Sequence, residues 1–419
     1  MKKIILSIFI LFAIRTNAQN INSIYPELEK LCKELHSYPE LSLKEERTSA
    51  RIAQELKNLG FEVTERFGGY GVVGILKNGE GKKILIRTDL DALPVRENTS
   101  LPFTSKNDGV MHACGHDVHM SVFIGTARML VENKNKWKGT IMMIGQPAEE
   151  IGKGAKMMLD AGLYEKFGVP DYALAIHVYP AAKTGTVVYC PGYAMSDATS
   201  ITIKVKGIGG HGASPQLAVD PIVMAAQMIL SYQTIISREN SPFDPAVITV
   251  GYIKGGTKHN IIPDEVEMGL TVRTFNDDGK NKILNSIKTK TEKIAESFGL
   301  SDNKLPEIII SEQTPAVYNN PQLVNRLVPI LKNEFGESNI IQSQPMSASE
   351  DFSQYGRTKD KVPLFLIWVG STSAEDWAKK ESGWNIPFVH SPNFKPDYEN
   401  TIKSGVRVVF ASSMELLSK

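Results

Sequence analysis

Four short apolar runs do most to limit how this chain can fold. Residues 83–86, 140–144, 172–176 and 364–369 are each only a few residues long and almost unbroken in aliphatic character. Runs this short and this continuous suit strands covered on both faces, as in the parallel sheet of an α/β domain. Polar residues follow three of them: Arg87-Thr88-Asp89-Leu90-Asp91, Gln146-Pro147-Ala148-Glu149-Glu150 and His177. Open α/β sheets gather ligands beyond the carboxyl ends of their strands, so these segments are expected to share one site.

Residues 199–312 have a different rhythm. Ile201, Ile203 and Val205 alternate with polar neighbours, and Val266, Met268, Leu270 and Val272 share one face, as in half-exposed strands. Further strands are expected at 246–254 and 307–311, and helices at 220–238 and 278–298, with Pro221 suited to a first turn. The order β-α-β-β-α-β is the split unit of a ferredoxin-like fold. With 419 residues the chain exceeds one ordinary core. The expected organisation is an α/β catalytic domain with a mixed sheet at 19–197 and 313–419, interrupted by an inserted α+β domain at 198–312. A long helical stretch, residues 24–59 with a break at Pro39, precedes the sheet.

Residues 1–18 read as a secretory signal peptide: Lys2-Lys3, an apolar run from Ile4 to Ile14, and Thr16-Asn17-Ala18 as the cleavage site before Gln19. The run is too short to span a bilayer, and export to a periplasm or medium is expected. A hydrophobic fraction of 42% and a charged fraction of 22% are those of a soluble globular protein. A net charge of +1 gives no electrostatic case for nucleic acid or an anionic membrane as partner. Three cysteines are too few for a disulfide framework, although a Cys32–Cys190 bridge stays open.

The densest chemistry lies in His112-Ala113-Cys114-Gly115-His116-Asp117-Val118-His119, just before a helix expected over 118–132. A thiolate and an imidazole two residues apart can grip one metal ion. Glu149-Glu150 reads in two ways. It is either a solvated helix start, where acidic residues suit the dipole, or a pair in which one carboxylate binds metal and its neighbour moves a proton. His177 suits a core histidine or a ligand, and His390 alone reads as a loop residue. The Gly207–Gly212 loop around His211 is either a plain tight turn or part of a site.

Many blocks in order resemble the hippurate hydrolase and N-acyl-amino-acid amidohydrolase group of the aminoacylase and glutamate-carboxypeptidase metallohydrolases. They include Glu34-Leu35-His36 with Pro39-Glu40-Leu41-Ser42, residues 87–94, 112–119 and 146–150, Gly210-His211-Gly212-Ala213-Ser214-Pro215, Asn260-Ile261-Ile262-Pro263 and Ser349-Glu350-Asp351-Phe352. The resemblance implies a two-metal centre held by Cys114, His116, Glu150, His177 and His390, with Glu149 as general base and Asp89 orienting the machinery. It implies His211, Asn260 and Arg273 as substrate contacts, with His211 reaching across a homodimer, and an N-acyl amino acid as substrate. A dipeptidase or carboxypeptidase using the same machinery is the near alternative. A catalytically idle binding protein is a more distant one. The wider family places a metal-binding histidine where this chain has Arg87, which points to the branch using the Cys-x-His pair. His112, His119 and His259 are left as supporting or surface residues. Mixed N, O and S ligation admits zinc, and carboxylate and imidazole donors also admit manganese, cobalt or nickel.

Overall fold

The computed structural model describes residues 21–418, so the signal segment expected at 1–18 lies outside the described residues. The chain packs into two units. The first comprises residues up to Ala194 together with Tyr318–Gln344 and the segment from Asp351 onward; the second comprises Met195–Val317 and Pro345–Glu350. These limits differ by a few residues from the expected 197/198 and 312/313. Asp197 is tied to the second unit by accepting bonds from the Thr274 N–H and hydroxyl, both at 2.6 Å. The last strand of that unit continues to Thr314, which pairs with Ala198.

The first unit is built on a ten-stranded mixed sheet. Its centre is four parallel strands in the spatial order Gly139–Gln146, Lys83–Asp89, Tyr172–Lys183 and Leu364–Thr372. Val72–Asn78 and Glu62–Thr64 continue it antiparallel at one edge. The four apolar runs form these central strands, and every residue of Leu364–Thr372 is buried. Helices 21–37, His116–Glu132 and Tyr398–Leu417 share one core with the sheet, through Leu28, Val122, Leu130, Ile141, Leu174, Phe365 and Val406 among others. Burying side chains of this size stabilises by about 1.5–3 kcal/mol each, offset by the entropy of ordering them.

Register sets the site. Asp89 pairs with Gln146, while Arg87 pairs with both Ile144 and Ala175. Asp89, Gln146 and His177 therefore stand side by side at one end of three neighbouring strands. His177 does not end its strand as expected: pairing with Leu364–Thr372 carries that strand on to Lys183. The following helix begins at His116, two residues earlier than expected, so one donor opens the helix itself. The long N-terminal helical stretch is two helices, 21–37 and Glu46–Asn58, with a Pro39-containing connection between them.

In the second unit the strands Ala198–Lys206, Val247–Gly255, Glu265–Arg273 and Glu307–Thr314 pair antiparallel throughout. Numbered by their order in the chain, they lie in the spatial sequence two, three, one, four, which is the ferredoxin-like arrangement. Helices Pro221–Thr234 and Asp277–Ser297 share its core through Met224, Met228, Ile283 and Ile287. The first, expected to reach residue 238, ends its α-helical part at Thr234 and closes with a π-helical turn, Ile235–Glu239. A two-residue ribbon pairs Gly210–His211 with Ile261–Ile262.

Candidate metal centre

Five side chains from four places in the first unit converge. Gly115 makes the local fold of the first two possible: its φ of 78° lies in the left-handed region and turns the chain between Cys114 and His116. A Cβ there would meet Val178 Cγ2 at 2.7 Å. The Cys114 Sγ lies 3.4 Å from His177 Nε2. The ligand atoms of Cys114, His116 and His177 lie within 4.8 Å of one another, and so do those of Cys114, Glu150 and His390. The thiol is common to both groups. His390, far away in sequence, is brought in by its backbone N–H, which donates to the Ala113 carbonyl at 2.8 Å.

Hydrogen bonds orient the imidazoles. His116 Nδ1 is 2.8 Å from the Asp91 carbonyl, and His177 Nδ1 is 2.8 Å from the Val178 carbonyl. A carbonyl only accepts, so each Nδ1 carries the proton and each Nε2 presents a lone pair to the centre. Desolvation and the neighbouring His119 push His177 down to about 3, which keeps it neutral. Glu150 spans the donors, with Oε1 3.7 Å from His116 Nε2 and Oε2 3.5 Å from His390 Nε2. Glu149 Oε2 faces the same His116 Nε2 at 3.9 Å.

This donor set fits divalent ions. His116 Nε2, Glu150 Oε1 and Asp91 Oδ1 are buried and have no hydrogen-bond partner, although buried polar groups are rarely left so. Burial alone would lower His116, yet Asp89, Asp91 and Glu150 raise it to about 10, while burial lifts Glu150 to about 7. So many carboxylates around one imidazole draw in a proton; a metal ion meets the same demand for positive charge. Thiol, imidazole and carboxylate together suit zinc or another first-row ion.

Asp89 sits directly behind the donors and is fully buried. Its Oδ1 is 2.8 Å from His119 Nδ1, and its Oδ2 accepts from Arg87 Nη1 at 2.7 Å. The Val178 N–H donates to His119 Nε2 at 3.0 Å, which places the His119 proton on Nδ1, facing Asp89. Burial would raise the Asp89 carboxyl, but His116, His119 and Arg87 hold it well below its ordinary value. Arg87 also donates to Gln146 Oε1 at 3.0 Å and Asp351 Oδ1 at 3.1 Å. Arg87 is thus a buried cation fixed by Asp89, Gln146 and Asp351.

The structure thus gathers Asp89, Cys114, His116, Glu149, Glu150, His177 and His390 in one place. The other three expected residues, His211, Asn260 and Arg273, lie in the second unit. There the Gly212 N–H donates to the Asn260 carbonyl at 2.9 Å, holding His211 and Asn260 on neighbouring backbone. The Ala213 N–H donates to His211 Nδ1 at 3.0 Å, which leaves the imidazole proton on exposed Nε2. Arg273 is half-buried, with Nη1 unpartnered. Sequence reasoning left His119 as a supporting or surface residue and gave Gln146, Glu45 and Asp351 no individual role. Their signal was weak, because each touches the centre only through another residue. Cys32 and Cys190 are buried thiols, so no bridge forms between them.

Fold and donor set together define a metal-dependent hydrolase. The chain belongs to peptidase family M20/M25/M40, which matches residues 85–408. A thermostable carboxypeptidase of Saccharolobus solfataricus is 37% identical over 92% of this chain and 94% of its own length. The hippurate hydrolase of Campylobacter jejuni is 37% identical over 81% of this chain and 88% of its own. The crystal structure of a dinuclear metal binding peptidase of the M20 family from Bacillus subtilis superposes with a TM-score of 0.77 at 29% identity, covering 94% of this chain and 99% of that one. The chain is accordingly an enzyme of the family's amidohydrolase group, and its α/β fold with a mixed sheet is the M20 fold.

Proposed function

We propose that this enzyme hydrolyses the amide bond of N-acyl or N-aroyl amino acids at a two-metal centre held by Cys114, His116, Glu150, His177 and His390. The observation that carries the reading is the division within one dipeptide. Glu150 lies between two imidazoles, while Glu149 brings a second carboxylate to the edge of the same donor group. Divalent ions in this position would lower the pKa of water to about 7 and polarise the amide carbonyl. Glu149 takes the proton from the attacking water and returns it to the leaving nitrogen. Asp89 fixes the site from behind, as its bonds to His119 and Arg87 require.

The substrate class draws support from the hippurate hydrolase relative and from Arg273, whose unpartnered guanidinium nitrogen suits a substrate carboxylate. His211, with its proton on Nε2, suits donation to the reacting carbonyl oxygen, and Asn260 assists. In a homodimer, His211 of the partner subunit would serve that purpose. The carboxypeptidase relative supports a second reading, cleavage of short peptides by the same machinery. The sequence of residues 1–18 supports export to a periplasm or medium.

Glu149→Gln tests the mechanism. It should keep its metal and lose about 10²–10⁴-fold in turnover, the range for a general base; retained turnover removes Glu149 from that role. A panel of acetyl- and benzoyl-amino acids against dipeptides, run on the metal-reconstituted enzyme, decides between the two substrate readings.

A further inference from the structure

The block Leu41–Glu45 has no part in the chemistry above, yet it holds the backbone on both sides of Glu149. Glu45 is fully buried, and its Oε1 accepts from the Ala148 N–H at 2.8 Å and the Leu43 N–H at 2.9 Å. Ser42 donates to Asp91 Oδ2 at 2.6 Å, and that same oxygen accepts from the Glu150 N–H at 3.0 Å. The amides of residues 148 and 150, flanking Glu149, therefore both end on buried carboxylates.

The peptide that Glu45 holds is an unusual one. Ala148 has φ 53° and Leu43 has φ 65°, both left-handed without being glycine. Such a residue is strained and persists only where its surroundings fix it. One carboxylate oxygen ties both strained amides together. On its other side, the Ala148 carbonyl accepts from the Lys153 and Gly154 N–H groups, each at 3.1 Å. Gly154 packs so closely that a Cβ there would lie 1.5 Å from the Pro147 carbonyl oxygen. With the turn pinned from both ends, the direction of the next side chain, Glu149, is set by the Ala148 peptide.

We propose that Glu45 is a positioning residue for the general base, holding the left-handed Ala148 peptide so that the Glu149 carboxylate meets the donor group. The proposal rests on the reading of Glu149 given above. It predicts a kcat effect without a binding effect. Glu45→Ala should lower kcat by about 10–100-fold, as expected for a misplaced catalytic group, with KM and metal stoichiometry within about twofold of wild type. Glu45→Gln, whose amide oxygen still accepts from Ala148, should keep kcat within about threefold. Adding Ala148→Gly to Glu45→Ala should recover part of the lost kcat, because glycine adopts the left-handed conformation without strain.

A Glu45→Ala enzyme with unchanged kcat overturns the proposal. So does one whose loss is entirely in KM or bound metal, or one that Ala148→Gly does not improve. If Glu45→Ala does not fold, Ala148→Val with Glu45 intact decides the matter: a β-branched residue at positive φ must lower kcat at constant KM, and unchanged kcat is the overturning result. Glu149→Gln measured alongside separates the two readings. A fully active Glu149→Gln removes the general base itself, whereas an inactive one beside an unaffected Glu45→Ala removes only the role of Glu45.

Discussion

The two units treat their chemical residues in opposite ways. In the first, Cys114, His116 and Glu150 are largely enclosed, the His116 and His177 imidazoles are aimed by bonds to the Asp91 and Val178 carbonyls, and the backbone of the more exposed His390 is held by the Ala113 carbonyl. In the second, His211 and Asn260 are exposed, and Arg273 keeps an unpartnered nitrogen. Preorganised, dehydrated groups suit metal binding and proton transfer, whose geometry has to be in place before substrate arrives. Exposed donors with spare hydrogen-bonding capacity suit contacts completed only by a ligand. The contrast predicts that substitutions in the first unit act on metal content, stability and kcat, and those in the second on substrate binding.

The largest effect should follow loss of the shared thiol. Cys114→Ala removes a donor from both three-residue groups. It should lower bound metal in elemental analysis and turnover by about a hundredfold or more, since metal charge stabilisation is worth several kcal/mol. Unchanged metal content would remove Cys114 from the centre.

Arg87→Leu should come next, read as stability. It removes the cation paired with the buried carboxylates of Asp89 and Asp351, and breaking buried pairs of this kind costs about 3–5 kcal/mol in denaturant titration. A variant as stable as wild type would show that the buried cation is dispensable.

A pH effect of similar kind comes from His36, buried between Asp117 Oδ2 at 2.8 Å and Glu97 Oε1 at 3.1 Å. Burial lowers its pKa, but the two carboxylates raise it to about 9. Because the folded value exceeds the unfolded one of about 6.5, the stabilisation is complete below pH 6.5 and fades as pH rises through about 9. The loss should approach 3 kcal/mol as an order of magnitude, about 1.4 kcal/mol per pKa unit. His36→Gln should flatten the stability profile across that window; an unaltered slope would contradict the pairing.

The smallest effect belongs to the second unit. Arg273→Ala should raise KM about tenfold or more with little change in stability, the size of a lost charge-assisted hydrogen bond. A fall in kcat at constant KM would erase the distinction between the units.

Much of this was legible because it was local. The four apolar runs became the central strands since continuous burial leaves a continuous apolar sequence, and Cys114-x-His116 kept its donors together through one left-handed glycine. The ferredoxin-like insertion was readable from alternation along Ala198–Lys206 and Glu265–Arg273. What escaped was long-range and hydrogen-bonded. Glu45 reaches Ala148 across 103 residues and Asp351 reaches Gln146 across 205, and no spacing rule announces such contacts. Whether His119 was a supporting or a surface residue could be read only once Val178 and Asp89 fixed its two nitrogens. The strand through His177 ran past its expected end because pairing with its neighbour, and not its own apolar run, sets its length.

The strand-end cluster of the first unit is proposed as a dinuclear metal centre. Equilibrium titration of the metal-stripped enzyme with manganese or zinc, followed by elemental analysis after gel filtration, tests it most directly. The wild type should bind two ions per chain, and Glu150→Ala, which loses the carboxylate facing both His116 and His390, should bind fewer. Retention of one ion or none by the wild type, or two ions still bound by Glu150→Ala, would contradict it.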